Sequence, residues 1–363
     1  MKIIKIFGVV AILVISVAFV FYQFISTSNE DELLPITDKS IIDMHVHVAG
    51  LGYGNSGCFV SEDMRSNFRF PFYLKAMGVN EDILKEKGDR VLFELISQSV
   101  FESKSVGKAV ILALDGVVTD GEINKALTQV YIPNDYVATE TAKFDNLLFG
   151  ASINPYRPDA VNRLETAHKQ GAVLVKWIPS IMDIDPADKA ITEFYKKMVE
   201  LDIPLLTHTG MEKSFSTAKD ELADPRRLEL PLSLGVTVIA AHIATTGQSE
   251  GQDNFLRILP MFKQYPNLYA DISSLTQINK LGYLKKALEI EGLSERFVYG
   301  TDWPLQFFPL ISSWYHLDLI SPSEAKSVQK IDNQWDRDVA LKDAMGVDEA
   351  VFYRTDQLLL GGR

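Results

Sequence analysis

From residue 41 onward the chain alternates short runs rich in Val, Ile, Leu and Ala with longer helix-like segments, and no other feature limits its fold so strongly. Eight runs read as strands: 41–46, 109–114, 148–153, 173–177, 204–207, 236–241, 268–271 and 297–300. After the second, their starts recur every ~25–40 residues, the length of one strand–helix unit on a parallel sheet. The segments between them carry helix signals. Residues 159–170 are amphipathic and end at Gly171, and Pro186 opens a helix that runs towards Leu201. Eight units predict an α/β fold, a (β/α)8 TIM barrel, with its active site at the C-terminal ends of the strands. An open doubly wound sheet is the alternative, but no G-x-G-x-x-G follows the first strand.

The connection 48–108 is too long for a simple crossover. Its GLGYGNSG start and FRFPFY stretch fit either an active-site cover or a structural insertion. Residues beyond about 310 read as a polar, helical extension of the same domain, which therefore spans 41–363.

The N-terminus follows different rules. Lys2 and Lys5 precede an uncharged apolar run, residues 6–24. That is ~28 Å of helix, close to the thickness of a bilayer core. Residues 1–25 are thus expected to form a single-pass transmembrane helix that anchors the chain in a membrane. A signal peptide cut near Ser26 or Ser28, giving a secreted protein, is the alternative. The flanking lysines place the N-terminus in the cytoplasm and the bulk of the protein outside it. Residues 26–40 are a polar linker.

Composition removes several functions. With 48 acidic against 36 basic side chains the formal charge is −12, which argues against a nucleic-acid surface. Cys58 is the single cysteine, so neither an internal disulfide nor a cysteine-rich zinc framework exists. A small-molecule substrate is the expected partner, and a homo-oligomer is compatible with everything above.

Four of six histidines fall at ends of the expected strands. His45 and His47 close the first, in IIDMHVH, with both rings on one side. His208 ends the fifth, in PLLTH, His242 ends the sixth, in VIAAH, and Asp302 follows the eighth, in YGTDWP. In a barrel these positions converge on one mouth and make a mixed nitrogen and oxygen metal site. Three imidazoles and a carboxylate suit Zn2+ best, with Mn2+, Fe2+ or Ni2+ as alternatives. A divalent ion lowers the pKa of water to ~7. Asp302 beside it would take and return a proton, and His242 would stabilise a developing oxyanion. Asp43 is expected to face away from His45, in support or packing. His168 and His316 are expected to be structural, and Trp303 and Pro304 to fix the turn that carries Asp302.

The set Asp43-x-His45-x-His47, His208 in LLTHTG, His242 in AAHIA and Asp302 in YGTDWP resembles the amidohydrolase superfamily, in particular its amidohydrolase-2 branch of metal-dependent TIM-barrel hydrolases and decarboxylases. The stretch from SINPYRPDA to VLVKWIPS is similar to the third and fourth strand region of that branch, and the likeness covers roughly residues 40 to 310. The resemblance implies that His45, His47, His208 and Asp302 ligate a divalent metal, and that His242 polarises substrate or binds a second ion. For Lys176, in LVKW, it implies either a carbamylated bridge between two ions or a substrate contact. A lysine whose stem packs while its head reaches solvent is the third reading. Asp115 and Asp271 also sit at strand ends, where carboxylates contact substrate or cap helices.

These readings favour a metal-dependent hydrolase of a small amide, ester or lactone. A decarboxylase that uses the same ligands is the alternative. A non-catalytic binding barrel fits less well, because the ligand set is complete.

Overall fold

The structure, a computed structural model, describes residues 36–361. Eight strands form its centre: β1 (Ile41–His47), β2 (Val106–Leu112), β3 (Leu147–Ala151), β4 (Leu174–Trp177), β5 (Leu205–His208), β6 (Val238–Ala241), β7 (Leu268–Asp271) and β8 (Phe297–Val298). All eight expected runs become strands, with ends shifted by a few residues. They pair in chain order and in parallel. The segment after β8 closes the sheet onto β1. Asp302 N–H donates to the His45 carbonyl at 2.9 Å, and His47 N–H donates to the Trp303 carbonyl at 2.9 Å. The sheet is therefore a (β/α)8 barrel.

Alternate strand residues fill the interior, among them Ile42, Met44, Val110, Leu112, Leu206 and Val298. Leu359, on the last helix Glu349–Leu360, packs against this cluster and plugs the floor. The opposite faces of the strands pack on the helices, as the apolar stripe of Ala160–Lys169 shows with Ala160, Leu164 and Ala167 buried.

Strand β1 departs from simple alternation. Asp43 lies opposite Ala109 and Val46 opposite Ile111, so β1 takes three steps where β2 takes two. This is a β-bulge of one extra residue. Alternation alone would put Asp43 and His45 on the same side. The bulge instead leaves Asp43 outside the barrel, as expected, and turns His45 into the mouth. There Asp43 accepts from the Thr301 hydroxyl at 2.6 Å and from Trp335 Nε1–H at 2.8 Å.

One expectation needs correction. Pro186 does not open a helix: Asp188 caps a short turn, Lys189–Ile191, and the α-helix begins later, as Thr192–Glu200. The C-terminal extension is helical, as expected, and one of its charge pairs is buried against the barrel: Lys342 is fully buried, bonded to Asp338 at 2.7 Å and donating to the Gly300 carbonyl at 2.9 Å. Those contacts hold the end of β8 in place.

The long connection after β1 folds over the mouth as a small ribbon, Phe59–Val60 with Val130–Tyr131, and four helices that include Phe70–Ala76 and Val91–Glu102. Asp89 organises its glycine-rich start by accepting from Gly52 N–H at 2.9 Å and the Ser56 hydroxyl at 2.5 Å. The expected anchor, residues 1–25, lies outside the described residues. Among the described residues no helix is long and apolar enough to cross a membrane.

Candidate metal centre and cleft

His45 and His47 enter the mouth from β1, and their Nε2 atoms lie 3.1 Å apart. Asp302 reaches them from the turn after β8, with Oδ1 at 3.4 Å from His45 Nε2 and 3.3 Å from His47 Nε2. Gly300 permits this approach, since a Cβ there would sit 2.9 Å from His45 Cβ. His242, at the end of β6, places Nε2 3.9 Å from Asp302 Oδ2. One donor atom each from His45, His242 and Asp302 lies within 4.8 Å of the others.

These spacings fit a divalent ion. Metal–nitrogen bonds of ~2.0–2.1 Å separate neighbouring donors by ~3.0–3.4 Å, depending on geometry. The three distances among His45, His47 and Asp302 fall in that interval.

Hydrogen bonds set which nitrogens face the centre. His45 Nδ1 lies 2.7 Å from Asp271 Oδ2, so its proton goes to the carboxylate and Nε2 keeps a lone pair. His242 Nδ1 faces the Ser273 carbonyl at 3.1 Å and the Ser273 hydroxyl oxygen at 2.8 Å. The Ser273 hydroxyl hydrogen is already donated to Asp271 at 2.5 Å, so His242 Nδ1 is the donor and its Nε2 also carries a lone pair. Burial pushes the pKa of His45 down to about 4, helped by Lys176, and takes His242 well below the ordinary histidine range. Both rings are therefore neutral at pH 7 and could ligate a metal ion. Burial raises the Asp302 carboxyl, but His45, His47 and His242 pull it further down, and it stays ionised.

The backbone is strained where it presents these groups. His242, Ile243 and Ala244 have φ of 58°, 52° and 55°, and Asp302 has 64°. Such non-glycine conformations cost ~1–3 kcal/mol each and cluster at functional sites.

His208 joins the group less closely. Its ring centre lies 5.2 Å from that of His242, Nδ1 is 3.5 Å from Glu212 Oε2, and buried Nε2 has no hydrogen-bond partner. Lys176 is 1% exposed, which removes the solvent-reaching alternative. Its Nζ lies 2.8 Å from His45 Nε2 inside the donor cluster. Burial lowers its pKa to about 8, against the pull of Asp271 and Asp302.

Several predicted residues have other work. Asp271 is fully buried beneath the histidines and also accepts from His242 N–H at 2.8 Å, so it supports the site and does not meet substrate. Asp115 is held by Arg157 in two 2.7 Å bonds, away from the mouth. His316 bonds the Thr276 carbonyl at 3.0 Å, a structural role, and Trp303 stacks on Trp335. Pro304 faces the cleft as well as shaping the turn.

Sequence reading missed Ser273, Ser274, Gln277, Glu212 and Lys280. The Ser274 hydroxyl donates to Asp302 Oδ2 at 2.5 Å, and Gln277 Nε2–H donates to Ser274 at 2.9 Å. Only their position after β7, or after β5 for Glu212, could have signalled them. Above the donor cluster opens a cleft of about 1150 Å³, counting its open mouth. The cover supplies one wall, with Val60, Met64, Phe70, Leu74 and Met77. The connection 48–108 is therefore a cover, the first of its two readings.

A parallel barrel with imidazoles and a carboxylate converging at its C-terminal mouth defines the class of (β/α)8 proteins built around a divalent-metal donor set. Residues 42–331 match the amidohydrolase family model, and the chain belongs to that family. Two solved structures agree on the fold. An uncharacterised TIM-barrel protein, Bb4693 from Bordetella bronchiseptica, is 16% identical with a TM-score of 0.56, covering 89% of this chain and 99% of that one. A protein from Pseudomonas putida assigned as a 2-pyrone-4,6-dicarboxylic acid hydrolase is 14% identical with a TM-score of 0.50, covering 88% and 97%. The 5-carboxyvanillate decarboxylase LigW from Sphingomonas paucimobilis is 10% identical with a TM-score of 0.44, covering 86% and 98%. A search of curated proteins found no match.

Proposed function

We propose that the chain is a metal-dependent hydrolase of small amides, esters or lactones. The observation that carries this reading is the single carboxylate of Asp302 within 3.4 Å of two imidazole nitrogens. His45, His47 and Asp302 would hold the ion, with His208 and His242 beside them. A divalent ion there supplies Lewis acidity towards water and towards a carbonyl oxygen.

The chain's own groups do the rest. Asp302 is ionised and accepts a proton at its carboxylate, while Ser274 fixes the orientation of Oδ2. His242 with a lone pair on Nε2 is better suited to ligate metal than to donate to an oxyanion, and we assign it the ligand role. Lys176, buried against His45, would bridge two ions as a carbamate or contact substrate. The cover excludes water from the reacting atoms. We further propose that residues 1–25 tether this hydrolase on the outer side of a membrane, a reading that rests on the sequence alone.

A screen of esters, lactones and amides, alongside carboxylic acids assayed for carbon dioxide release, tests the reaction class. Hydrolysis in the first group supports the proposal. Carbon dioxide release with no hydrolysis would replace it with a carbon–carbon lyase.

A further inference from the structure

We infer that a second cleft, behind the cover ribbon, binds a small zwitterion of the α-amino-acid type, and that its occupancy is transmitted to the wall of the main cleft. Nothing in this site depends on which bond the main cleft cleaves. The side cleft measures about 830 Å³ counting its open mouth. It is lined by the segments that follow β2 and β3 and by the helices Asn134–Thr141 and Ala160–Lys169.

The two clefts share a wall. Leu114 and Val130 line the main cleft, and the residues that follow them, Asp115 and Tyr131, line the side cleft. In extended chain successive side chains point to opposite faces, so the wall is one residue thick. Its two segments are tied together: Leu114 N–H donates to the Ile132 carbonyl at 3.1 Å, and Ile132 N–H to the Leu114 carbonyl at 2.8 Å. Gln129, one residue before the wall, clasps the loop that follows β5. Its side chain accepts from Ser216 N–H at 2.8 Å and donates to the Thr217 carbonyl at 2.7 Å. Met211 and Phe215 of that loop also line the main cleft.

The side cleft holds donors and acceptors that the protein leaves free. Arg157 gives Nε and Nη2 to Asp115, but its Nη1 has no partner among the described residues and is open to the cleft. Arg163 is tied at Nε alone, to Asp159 at 2.7 Å, which leaves its two terminal amino groups free. Burial raises the pKa of Tyr131, with Asp115 adding to it, and Arg157 and Arg163 pull it down, so both guanidiniums lie near its hydroxyl. Asp115 is saturated, since it also accepts from Gly116 N–H at 2.9 Å and Asn154 N–H at 2.8 Å. Asp135 and Asp159 are not. One oxygen of each is engaged, by Gln170 at 3.0 Å and by Arg163, and the other is free.

Charge narrows the ligand. Two arginines and three aspartates line the cleft, a net charge of 2 − 3 = −1. A phosphate dianion would be repelled by that balance, and a simple ammonium would leave the guanidinium edges unmet. An α-amino acid answers both, with its carboxylate on the free edges of Arg157 and Arg163 and its ammonium on Asp135 or Asp159. Asp115 already holds Arg157 in place, so little side-chain freedom is lost on binding. A ligand that spans Arg157 and Tyr131 would stiffen the shared wall, and through Gln129 the loop beyond it.

The proteinogenic L-amino acids, offered one at a time to the purified protein, are the probes, with binding read by calorimetry and melting temperature. At least one should bind with a Kd of about 1 mM or tighter. Its N-acetyl and amide forms, which remove the ammonium and carboxylate charges in turn, should each bind about tenfold or more weakly, the range of one charge-assisted bond. Arg163→Gln, on an exposed helix face, and Tyr131→Phe, which keeps the ring, should both weaken binding. The His45→Ala/His47→Ala double variant should bind as the parent does. Amide hydrogen exchange should slow at 129–131 and 211–217 when the site is filled. Absence of binding by every amino acid would overturn the assignment, as would equal binding of the blocked forms or full affinity in Arg163→Gln and Tyr131→Phe. Loss of binding in the double variant would place the ligand in the main cleft and overturn it too. Binding with unchanged exchange in both segments would refute the transmission through the shared wall.

Discussion

Asp271 Oδ2 lies 2.7 Å from His45 Nδ1 at the base of the barrel mouth, and this one contact decides which nitrogen of His45 faces the donor cluster. The carboxylate needs no partner of its own type there. Burial raises its pKa, but His45 lowers it further, so it remains ionised and accepting.

Asp271→Asn should therefore weaken metal binding by ~10–100-fold, the usual cost of losing a support to a ligating histidine. The amide cannot accept at both ends, where the carboxylate now takes bonds from His45, His242 N–H and Ser273. Metal affinity measured by competition with a chelator checks this. An unchanged affinity would mean that the ring orientation is set elsewhere.

Asp302→Asn keeps an oxygen ligand and loses the base. Turnover should fall by ~10²–10⁴ with most of the metal retained. His242→Asn should instead lower metal occupancy, because its Nε2 carries a lone pair. Steady-state kinetics with metal analysis on both variants separates the two roles. Full metal in His242→Asn together with lost turnover would return His242 to the oxyanion-donor role.

How much of this was legible in the sequence depends on whether the pattern was local. The eight strands were readable because each is a short apolar run, and period-two placement put His45 and His47 together. The bulge between Asp43 and Val46 was not, because it depends on the pairing with Ala109 and Ile111. Lys280 and Glu212 look like ordinary surface charges in NKLGY and GMEKS, and only the fold of the loops buries them. Lys342 and Asp338, four apart on one helix, look equally ordinary in the sequence and are buried as a pair.

The Asp115–Arg157 pair should matter for stability and not for chemistry. Both side chains are nearly buried and joined by two bonds. Arg157→Met leaves the carboxylate without its charge partner and should cost about 3 kcal/mol, the lower end for a broken buried pair because Arg157 borders a side cleft. Urea unfolding of parent and variant measures it. A loss under about 1 kcal/mol would place the pair among exposed ion pairs in worth.

Cys58 should be inert in the native protein. Burial pushes its thiol up to about 12, against a hydrogen bond with Ser56 and with a further contribution from Asp89. A raised thiol pKa means that thiolate is scarce at pH 8, and thiolate is the reactive form. Iodoacetamide should label the denatured chain rapidly at that pH and the folded chain very slowly. Equal rates would show that the cover opens far enough to expose the residue.

Metal analysis of the purified protein, beside the His45→Ala/His47→Ala double variant, decides whether the barrel mouth holds a metal. The parent should hold at least one divalent ion per chain and the variant should lose stoichiometric metal, with the barrel still folded by circular dichroism. Full metal retention in the folded double variant, or a parent that takes up none from a supplemented buffer, would contradict a metal site there.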